Sequence, residues 1–331
     1  MEISMLKRFK TMVLGGCLAV STASFAGYEA HPRAQILIDD LKADGFEESY
    51  IRDVLSGAKY QQSIIDAISR PAERRLNWGE YRAIFIEQRR INQALQFWKE
   101  HQETLLRAEE VYGVPPEIVL AIMGVETRFG RITGNYRVLD ALSTLGFDYP
   151  KRADFFLGQL GDYFRLARQE GVEPGVLKGS YAGAMGYGQF IPSSFLAYAV
   201  DFDGDKQRDI WGNPVDAIGS VANYFARHGW RAGEPIISDV LLNGQVDSEW
   251  FNQSLKPELK LGEWRQRGVV AKSEVADDQL ATLMRMSSEQ GDQYLLGLHN
   301  FYVITRYNHS RLYANAVREL SEAIRQEINK G

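Results

Sequence analysis

The strongest constraint on the fold is a largely apolar segment, residues 116–130, that begins after Pro115 and ends at Gly130. Proline at the first helical position and glycine just past the last one are typical boundaries of a helix. The segment is apolar on nearly every side, so a helix formed by it has to be buried, and other elements must pack around it. The sequence therefore predicts a protein built around one central helix.

Glu126 is the one acid on the apolar side of this helix, one to two turns from Val119 and Ile122. A carboxyl group held against hydrocarbon loses hydration, which raises its pKa. An acid that stays protonated near neutral pH can donate its proton to a leaving group, as the cleavage of a glycosidic bond requires. The alternative is a structural acid paired with Arg128 or Arg131, and this segment alone leaves both interpretations open.

The N-terminus has the features of a secretory signal. Lys7, Arg8 and Lys10 precede an apolar stretch that starts at Met12, and small residues follow it up to Ala26. The stretch is shorter than the roughly 20 apolar residues that a bilayer-spanning helix needs. The sequence thus predicts export to the periplasm.

The only cysteine, Cys17, leaves a second fate open. It ends Leu14-Gly-Gly-Cys17, which resembles a bacterial lipoprotein processing box. Cleavage before Cys17 would give an outer-membrane lipoprotein, whereas cleavage after Ala26 would give a soluble periplasmic protein. We favour the soluble form, because apolar residues continue past Cys17 and only about six precede it after Lys10. Neither form has a disulfide bond.

Composition limits the classes of partner. The chain has 331 residues, 45% of them apolar, which is enough for more than one packed core. Its net charge is −5, and removal of residues 1–26 would change it to −7. An acidic protein is a poor partner for a polyanion, so we expect no nucleic-acid ligand. A neutral or zwitterionic polymer remains compatible with this charge.

Hydrophobic periodicity predicts a mainly α (α+β) fold. A helical pattern covers residues 32–112 and returns along most of the chain. Between residues 234 and 296 it gives way to short alternating runs broken by Gly and Pro, which predict a small β insertion. The predicted helices are 34–43, 48–55, 63–69, 81–112, 116–130, 138–145, 153–169, 193–200, 215–228 and 314–329.

An uncharged loop at residues 179–194 is rich in glycine, with four glycines among its first ten residues. Glycine lets a backbone approach a ligand closely, and Ser180 and Gln189 could offer a hydroxyl and an amide to neutral polar groups such as an N-acetyl. A phosphate-binding loop is excluded, since no Lys follows the glycines and no strand precedes them. A purely structural loop stays open as the alternative.

Residues 300–313 combine aromatic and amide side chains. Aromatic faces stack on sugar rings while amides and hydroxyls bind the ring substituents, so the mixture suits a glycan cleft. An aromatic core segment is the alternative interpretation.

Together, these stretches resemble the lytic murein transglycosylase B family, also known as glycoside hydrolase family 103. The resemblance extends from about Tyr81 to Tyr313. It rests on Gly124-Val-Glu-Thr-Arg-Phe-Gly130, Tyr181-Ala-Gly-Ala-Met-Gly-Tyr-Gly-Gln-Phe190 and Ile304-Thr-Arg-Tyr-Asn308.

The resemblance implies a goose-lysozyme-like catalytic core with a helical domain and a small inserted antiparallel β domain. We accordingly expect a signal peptide at 1–26, a helical domain at 27–100, the core at 101–233, the β domain at 234–297 and a return to the core at 298–331.

The family's activity is cleavage of the β-1,4 bond between N-acetylmuramic acid and N-acetylglucosamine in peptidoglycan, with 1,6-anhydromuramyl products. The resemblance places Glu126 as the sole catalytic acid and base, with no cofactor for the chemistry and a monomer as the expected state. It also suggests that Lys151 and Arg152 face carboxylates of the substrate. The implied substrate-binding residues are Tyr81, Arg152, Ser180, Gln189, Tyr224, Tyr307, Asn308 and Tyr313.

Two alternatives to this activity remain. A lysozyme-type hydrolase would need a second carboxylate, for which Asp140, Asp148, Asp154 and Asp162 are the candidates. A non-catalytic peptidoglycan-binding scaffold would keep the cleft and lose the acid.

A cluster of aspartates at residues 201–209 predicts a cation site, with a solvated acidic turn as the alternative. Oxygen ligands at the first, third, fifth, seventh and ninth positions are typical of an EF-hand loop, in which the seventh contributes its backbone carbonyl. Here Lys206 stands where an EF-hand has glycine, and Gly212 stands where it has the bidentate Glu. The resemblance implies an atypical EF-hand, with Asp216 as the missing carboxylate and Ca²⁺ in a structural role. The predicted ligands are Asp201, Asp203, Asp205, Gln207, Asp209 and Asp216.

Overall fold

The computed structural model describes residues 27–70 and 76–330. The predicted signal peptide and Cys17 lie outside these ranges. Within them, no helix is long and apolar enough to cross a membrane. The α-helices of this part of the chain are α1 (Ala34–Ala43), α2 (Glu48–Ser56), α3 (Gln62–Ser69), α4 (Trp78–Phe85), α5 (Gln88–Tyr112), α6 (Pro116–Thr127), α7 (Val138–Asp148), α8 (Ala153–Glu170), α9 (Pro192–Tyr198), α10 (Pro214–Arg227), α11 (Leu261–Gln266), α12 (His299–Tyr307) and α13 (Arg311–Ile328).

Helix α6 is the predicted central helix, and nine of its 12 residues are buried. It packs against α5, α10 and α13. Pro116 occupies its first turn, as predicted, but the helix ends at Thr127 and not at Gly130. Arg128 and Phe129 follow with φ of 51° and 60°, a left-handed conformation that costs non-glycine residues about 1 kcal/mol or more each. The chain therefore turns sharply just after Glu126.

The prediction of one continuous helix over residues 81–112 is wrong, since α4 and α5 are separate helices. Glu87 has an extended backbone, with φ of −124°, and starts α5. The Arg90 guanidinium donates a hydrogen bond of 2.8 Å to the Ile84 carbonyl oxygen. In a continuous helix, a backbone amide would donate a hydrogen bond to that carbonyl oxygen. Here the helix ends, and the side chain of the buried arginine donates the hydrogen bond instead. Periodicity alone does not reveal this break.

Two antiparallel sheets accompany the helices. A two-stranded ribbon pairs β1 (Tyr136–Arg137) with β2 (Lys178–Gly179), and this pairing fixes the start of the glycine-rich loop. The second sheet has the strand order β4-β6-β7-β3-β5. Its strands are β3 (Ile237–Leu242), β4 (Leu259–Lys260), β5 (Val269–Ala271), β6 (Leu280–Ser288) and β7 (Gly291–Gly297).

The five-stranded sheet has a hydrophobic cluster of its own, formed with α11 and centred on Phe251, Trp264 and Leu283. Helix α11 lies inside the region for which the alternating pattern predicts only strands. The main cluster fills the helical part of the molecule and surrounds α6. These elements agree with the predicted fold class, a mainly α protein with a small antiparallel β unit.

Candidate active site

Glu126 lies in the last turn of α6, one residue before the helix ends at Thr127. Its side chain is largely buried, and burial raises the pKa of the carboxyl group from 4.5 to about 7. The Tyr313 hydroxyl donates a hydrogen bond of 2.6 Å to Glu126 Oε1, which opposes part of this rise by stabilising the carboxylate. The second oxygen, Oε2, is left for another partner. The site thus holds an acid that is half-protonated near neutral pH.

Three tyrosines surround this carboxyl group, and we call them with Glu126 the Glu126 cluster. Tyr81 comes from α4, Tyr307 from the end of α12 and Tyr313 from the first turn of α13. Burial raises the pKa of each phenol, and the nearby Glu126 charge raises it further. Their hydroxyls therefore stay protonated across the physiological range. The structure brings together residues that the sequence places in separate stretches.

The glycine-rich loop closes one side of the Glu126 cluster. The Tyr307 hydroxyl donates a hydrogen bond of 2.5 Å to the Gly188 carbonyl oxygen. A Cβ atom at Gly188 would lie 2.8 Å from the same hydroxyl and 3.0 Å from Val221. The glycine is needed here for close approach to a tyrosine of the same chain, whereas the sequence had suggested approach to a ligand.

Thr127 is a residue that sequence reasoning missed. Its hydroxyl donates a hydrogen bond of 2.8 Å to the Tyr187 carbonyl oxygen and accepts one from the Gly130 amide. It therefore attaches the glycine-rich loop to α6 directly beside Glu126. No sequence signal marks it, because the two partners are 60 residues apart.

Ser180 and Gln189 hold the shape of the loop in this structure. Ser180 Oγ accepts hydrogen bonds from the amides of Ala182 and Ala184. The Gln189 side-chain amide donates to the carbonyls of Thr133 and Gly186. Gln189 Oε1 accepts no hydrogen bond within the described part of the chain, so it is the atom that a ligand could still use. Their predicted contacts with substrate stay predictions.

Tyr224 and Asn308 lie next to Tyr307. Tyr224 packs edge-on against the Tyr307 ring at 4.7 Å between centroids and donates a hydrogen bond to the Arg306 carbonyl. Asn308 follows α12 and its side chain is exposed. Tyr224 therefore packs against a tyrosine of the Glu126 cluster, while the exposed side chain of Asn308 is accessible to a ligand.

The pairing of Glu126 with Arg128 or Arg131, on which the structural alternative depended, is not formed. Arg128 forms an ion pair of 2.7 Å with Glu87, and Arg131 donates to the Arg128 carbonyl and, more weakly, to Gln96. Neither arginine contacts Glu126. The carboxyl group is thus held by burial and one phenol, without a compensating cation among residues 27–70 and 76–330.

None of the four acids considered for a second catalytic carboxylate joins the Glu126 cluster. Asp140 pairs with Arg137 and accepts from the Lys59 amide, and Asp148 accepts from Tyr28. The remaining two, Asp154 and Asp162, pair with Arg33 and Arg165. No carboxylate contributes to the pKa shift of Glu126. Within the described chain, Glu126 stands as a single acid.

Arg152 lies in a short turn before α8, with its guanidinium 4.2 Å from the centre of the Phe155 ring. It makes no contact with the Glu126 cluster. Its assignment to the substrate rests on the resemblance alone.

The predicted cation loop joins α9 to α10. Oxygens of Asp201, Asp203, Asp205 and Asp216 lie within 4.8 Å of one another, and Asp216 is fully buried. Four carboxylates at this spacing supply the hard oxygen ligands that Ca²⁺ prefers. Lys206, at the position of the EF-hand glycine, has φ of 75°, so it adopts the left-handed conformation that the loop requires.

The other two predicted ligands are placed differently. Asp209 is not among the four clustered aspartates, and its Oδ1 accepts from the amides of Trp211 and Gly212. The Gln207 amide donates to Asp205. The four clustered aspartates fit a cation, while ligand roles for Gln207 and Asp209 stay predictions.

Comparison with known proteins identifies the family. Residues 29–322 match the family model described as the transglycosylase SLT domain. The chain belongs to this family. A curated relative, the membrane-bound lytic murein transglycosylase B of Escherichia coli K12, is 43% identical over 304 residues, which are 89% of this chain and 83% of the relative. The resemblance found in the sequence is thus confirmed, and the chain is an enzyme of the transglycosylase class.

Solved structures of the family share the fold. The catenated lytic transglycosylase SltB1 of Pseudomonas aeruginosa is 50% identical, with a TM-score of 0.88, over 91% of this chain and 99% of that one. Slt35 of Escherichia coli in complex with calcium is 42% identical, with a TM-score of 0.82, over 91% and 95%. SltB3 of Pseudomonas aeruginosa, in complex with NAG-anhNAM-pentapeptide, is 32% identical, with a TM-score of 0.79, over 88% and 78%. The predicted fold class is confirmed.

Replacing Tyr313 by phenylalanine tests how this transglycosylase controls its acid. The hydroxyl stabilises the carboxylate, so we expect Tyr313→Phe to raise the pKa of Glu126 above about 7, by roughly one unit for the loss of one charge-assisted bond. The form with protonated Glu126 would then persist to higher pH, and the falling alkaline limb of kcat/KM would move up by the same amount. The measurement is the pH profile of glycan cleavage.

Tyr302→Phe is the matched control, since the Tyr302 hydroxyl makes no hydrogen bond within the described residues, and it should leave the profile in place. An unshifted profile for Tyr313→Phe would contradict a role of Tyr313 in setting this pKa.

Proposed function

We propose that this protein is a lytic transglycosylase that cleaves the β-1,4 bond between N-acetylmuramic acid and N-acetylglucosamine in peptidoglycan and leaves 1,6-anhydromuramyl ends. The observation that carries the proposal is Glu126, a buried carboxyl group with a pKa raised to about 7 and no second acid beside it among residues 27–70 and 76–330. Ordinary glycosidases use two carboxylates, whereas substrate-assisted cleavage needs one. Family membership supports the same activity.

The chemistry follows from a single residue that acts twice. Protonated Glu126 donates its proton to the glycosidic oxygen, and the carbonyl oxygen of the muramyl N-acetyl group attacks the anomeric carbon as that bond breaks. The Glu126 carboxylate then removes the proton from the C6 hydroxyl, whose oxygen displaces the N-acetyl oxygen at the anomeric carbon. The ring closes as a 1,6-anhydro sugar, Glu126 is protonated again and no water is consumed.

Tyr313 supports both halves of this cycle. Its hydroxyl bond at 2.6 Å stabilises the carboxylate that forms when the proton leaves, without removing the burial that keeps the acid protonated at the start. A pKa near 7 is well suited to a group that first donates and then accepts a proton. We propose that the remaining predicted binding residues hold the glycan in the cleft between α4, the glycine-rich loop and α12.

Mass spectrometry of a peptidoglycan digest tests the reaction type. We expect products with anhydromuramyl ends, each lighter by one water than the corresponding reducing sugar, because no second carboxylate of the described residues lies beside Glu126 to activate a water molecule. Products that carry the additional water would instead identify a lysozyme-type hydrolase. Binding without any cleavage would identify a scaffold.

We also propose that a structural Ca²⁺ occupies the aspartate loop, with Asp201, Asp203, Asp205 and Asp216 as ligands. The ion would supply no step of the reaction. Support comes from the spacing of the four carboxylates and from the calcium complex of the relative Slt35.

For the cellular setting, we propose a periplasmic monomer exported by residues 1–26, with the outer-membrane lipoprotein formed through Cys17 as the alternative. The mass of the mature N-terminus distinguishes them, since a start at residue 27 would lack both Cys17 and its lipid.

A further inference from the structure

A concavity shares Tyr81 with the Glu126 cluster. It has a volume of about 480 Å³ and lies between α4, the end of β6 and the start of α13, where the β unit meets the helices. Tyr81 belongs to its wall and to the Glu126 cluster, so the two sites adjoin. The residues that line it are Leu76, Asn77, Trp78, Tyr81, Asn252, Arg285, Ser287, Arg311 and Leu312.

The charge of this pocket differs from that of the whole protein. Among the described residues that line it, two of nine are arginines and none is acidic, although the chain as a whole carries a net charge of −5. The other polar side chains, Asn77, Asn252 and Ser287, can all donate hydrogen bonds. A pocket with two guanidinium groups, several neutral donors and no carboxylate is suited to an anion.

Arg311 is half-buried and has no acid to balance it. One guanidinium nitrogen donates a hydrogen bond of 2.9 Å to the Asn252 carbonyl, and Nε is buried without a partner. No carboxylate within the described chain pairs with it. A cation in such a position has lost hydration without an ion pair to compensate, so an anionic ligand would stabilise it. The same loss of hydration on burial lowers the pKa of the Arg311 guanidinium.

The backbone of Arg285 is held by hydrogen bonds, while its side chain is left able to change conformation. The Asn252 side chain accepts from the Arg285 amide and donates to the Arg285 carbonyl, each at 3.1 Å. Asn252 itself has φ of 63° and donates its own amide to Leu283. The nearest carboxylate to the Arg285 guanidinium is that of Asp292, at 3.9 Å. Asn252 therefore links both arginines to the same wall.

The pocket is tied to the catalytic group along the chain. Arg311 is the first residue of α13, and Tyr313, two residues later, donates the hydrogen bond to Glu126. The pocket is therefore close enough to the Glu126 cluster for a substituent of a bound glycan to reach it. Trp78 and Leu312 provide apolar surface in the same wall.

We propose that this pocket binds a carboxylate of the peptide side chain that the glycan strand carries, with Arg285 and Arg311 as specificity-determining residues. The inference rests on the proposed function, because the peptides are carried by the muramyl residues of the strand that Glu126 would cleave. Guanidinium groups bind carboxylates through paired hydrogen bonds, and an ammonium group cannot reproduce this geometry. The main alternative occupant is an uncharged sugar ring stacked on Trp78 and Tyr81.

The test compares three substrates prepared from the same glycan strands: strands that keep their peptides, strands whose peptides have been removed enzymatically, and strands whose peptide carboxylates have been converted to amides. Wild-type protein should cleave the first with a KM lower by about tenfold, the range of one charge-assisted interaction. Arg285→Gln should reduce this preference and leave cleavage of the other two substrates unchanged. Arg311→Lys keeps the positive charge but loses the paired hydrogen bonds. It should also reduce the preference for strands that keep their peptides.

The controls separate this proposal from folding and from the proposed function. Arg265→Gln removes an exposed arginine of the β unit that pairs with Asp277, and it should keep the full preference. Equal KM values for all three substrates with wild-type protein would overturn the pocket assignment while leaving the cleavage reaction intact. A preference that survives amidation would show that the pocket binds an uncharged group. Absence of anhydro products from every substrate would contradict the proposed function instead.

Discussion

Glu126→Gln is expected to lower kcat for peptidoglycan cleavage by about 10³-fold or more. General acid–base catalysis by one positioned group contributes roughly 10² to 10⁴, and here one group performs both proton transfers. Glutamine keeps the shape of the side chain and can still accept the Tyr313 hydrogen bond, but it cannot donate or accept the proton. The measurement is the release of anhydro products under saturating substrate.

Stability provides an internal check on this variant. The pKa of Glu126 in the folded protein is raised above 4.5, so the folded state holds this proton more tightly than the unfolded state does. The stabilisation is fully present below pH 4.5 and is lost as pH rises to about 7. Above pH 7 the buried carboxylate costs roughly 3 kcal/mol, which glutamine avoids. The variant should therefore unfold no earlier than wild type at pH 8, while it is inactive.

Glu117→Gln is the matched control, since Glu117 lies in the first turn of the same helix and far from Tyr313 in sequence. It should keep activity within a factor of about two, as expected for a substitution away from the site. Activity of Glu126→Gln within tenfold of wild type would show that another acid performs the chemistry.

Removal of calcium is expected to lower the melting temperature by about 5 to 10 °C. A ligand at 100 times its Kd stabilises the folded state by about 2.7 kcal/mol, and in a protein of this size each kcal/mol corresponds to roughly 2 to 4 °C. Without a cation, the four carboxylates that lie within 4.8 Å of one another repel. Thermal melts with chelator, and then with excess Ca²⁺, measure the effect.

Asp203→Asn should abolish most of the calcium response, because it removes an exposed ligand without disturbing the buried Asp216. Asp239→Asn, an exposed aspartate on β3, should keep the whole response. Identical melting curves for wild-type protein with and without chelator would contradict a bound cation.

Several features of the site could be predicted from the sequence because they depend on neighbours along the chain. Helix α6 follows from Pro116 and its run of apolar residues, and the burial of Glu126 follows from helical spacing. The aspartate loop follows from ligand spacing within nine residues. The family follows from three motifs, which match over long enough stretches to exclude chance.

Other features could not be derived from the sequence, because local patterns do not report long-range contacts. The α4 and α5 break depends on the Arg90 guanidinium, which satisfies the Ile84 carbonyl. Ser180 and Gln189 have the chemistry of ligand-binding groups, yet their hydrogen bonds in this structure hold the loop itself. Hydrogen-bonding capacity is visible in a sequence, whereas the choice of partner is decided by which groups folding brings within 3 Å.

The sequence by itself determined the buried helix, its single acid and the class of enzyme, since periodicity, composition and motifs are properties of contiguous residues. Only the tertiary structure decided what surrounds that acid. The hydrogen bond from Tyr313 to Glu126 joins residues 187 positions apart. The four aspartates considered as a second catalytic acid instead contact arginines, a tyrosine and a backbone amide elsewhere in the fold. The two arginines beside Tyr81 come from different elements. Such contacts depend on how whole elements pack, and the free energy of that packing is not encoded in any short segment.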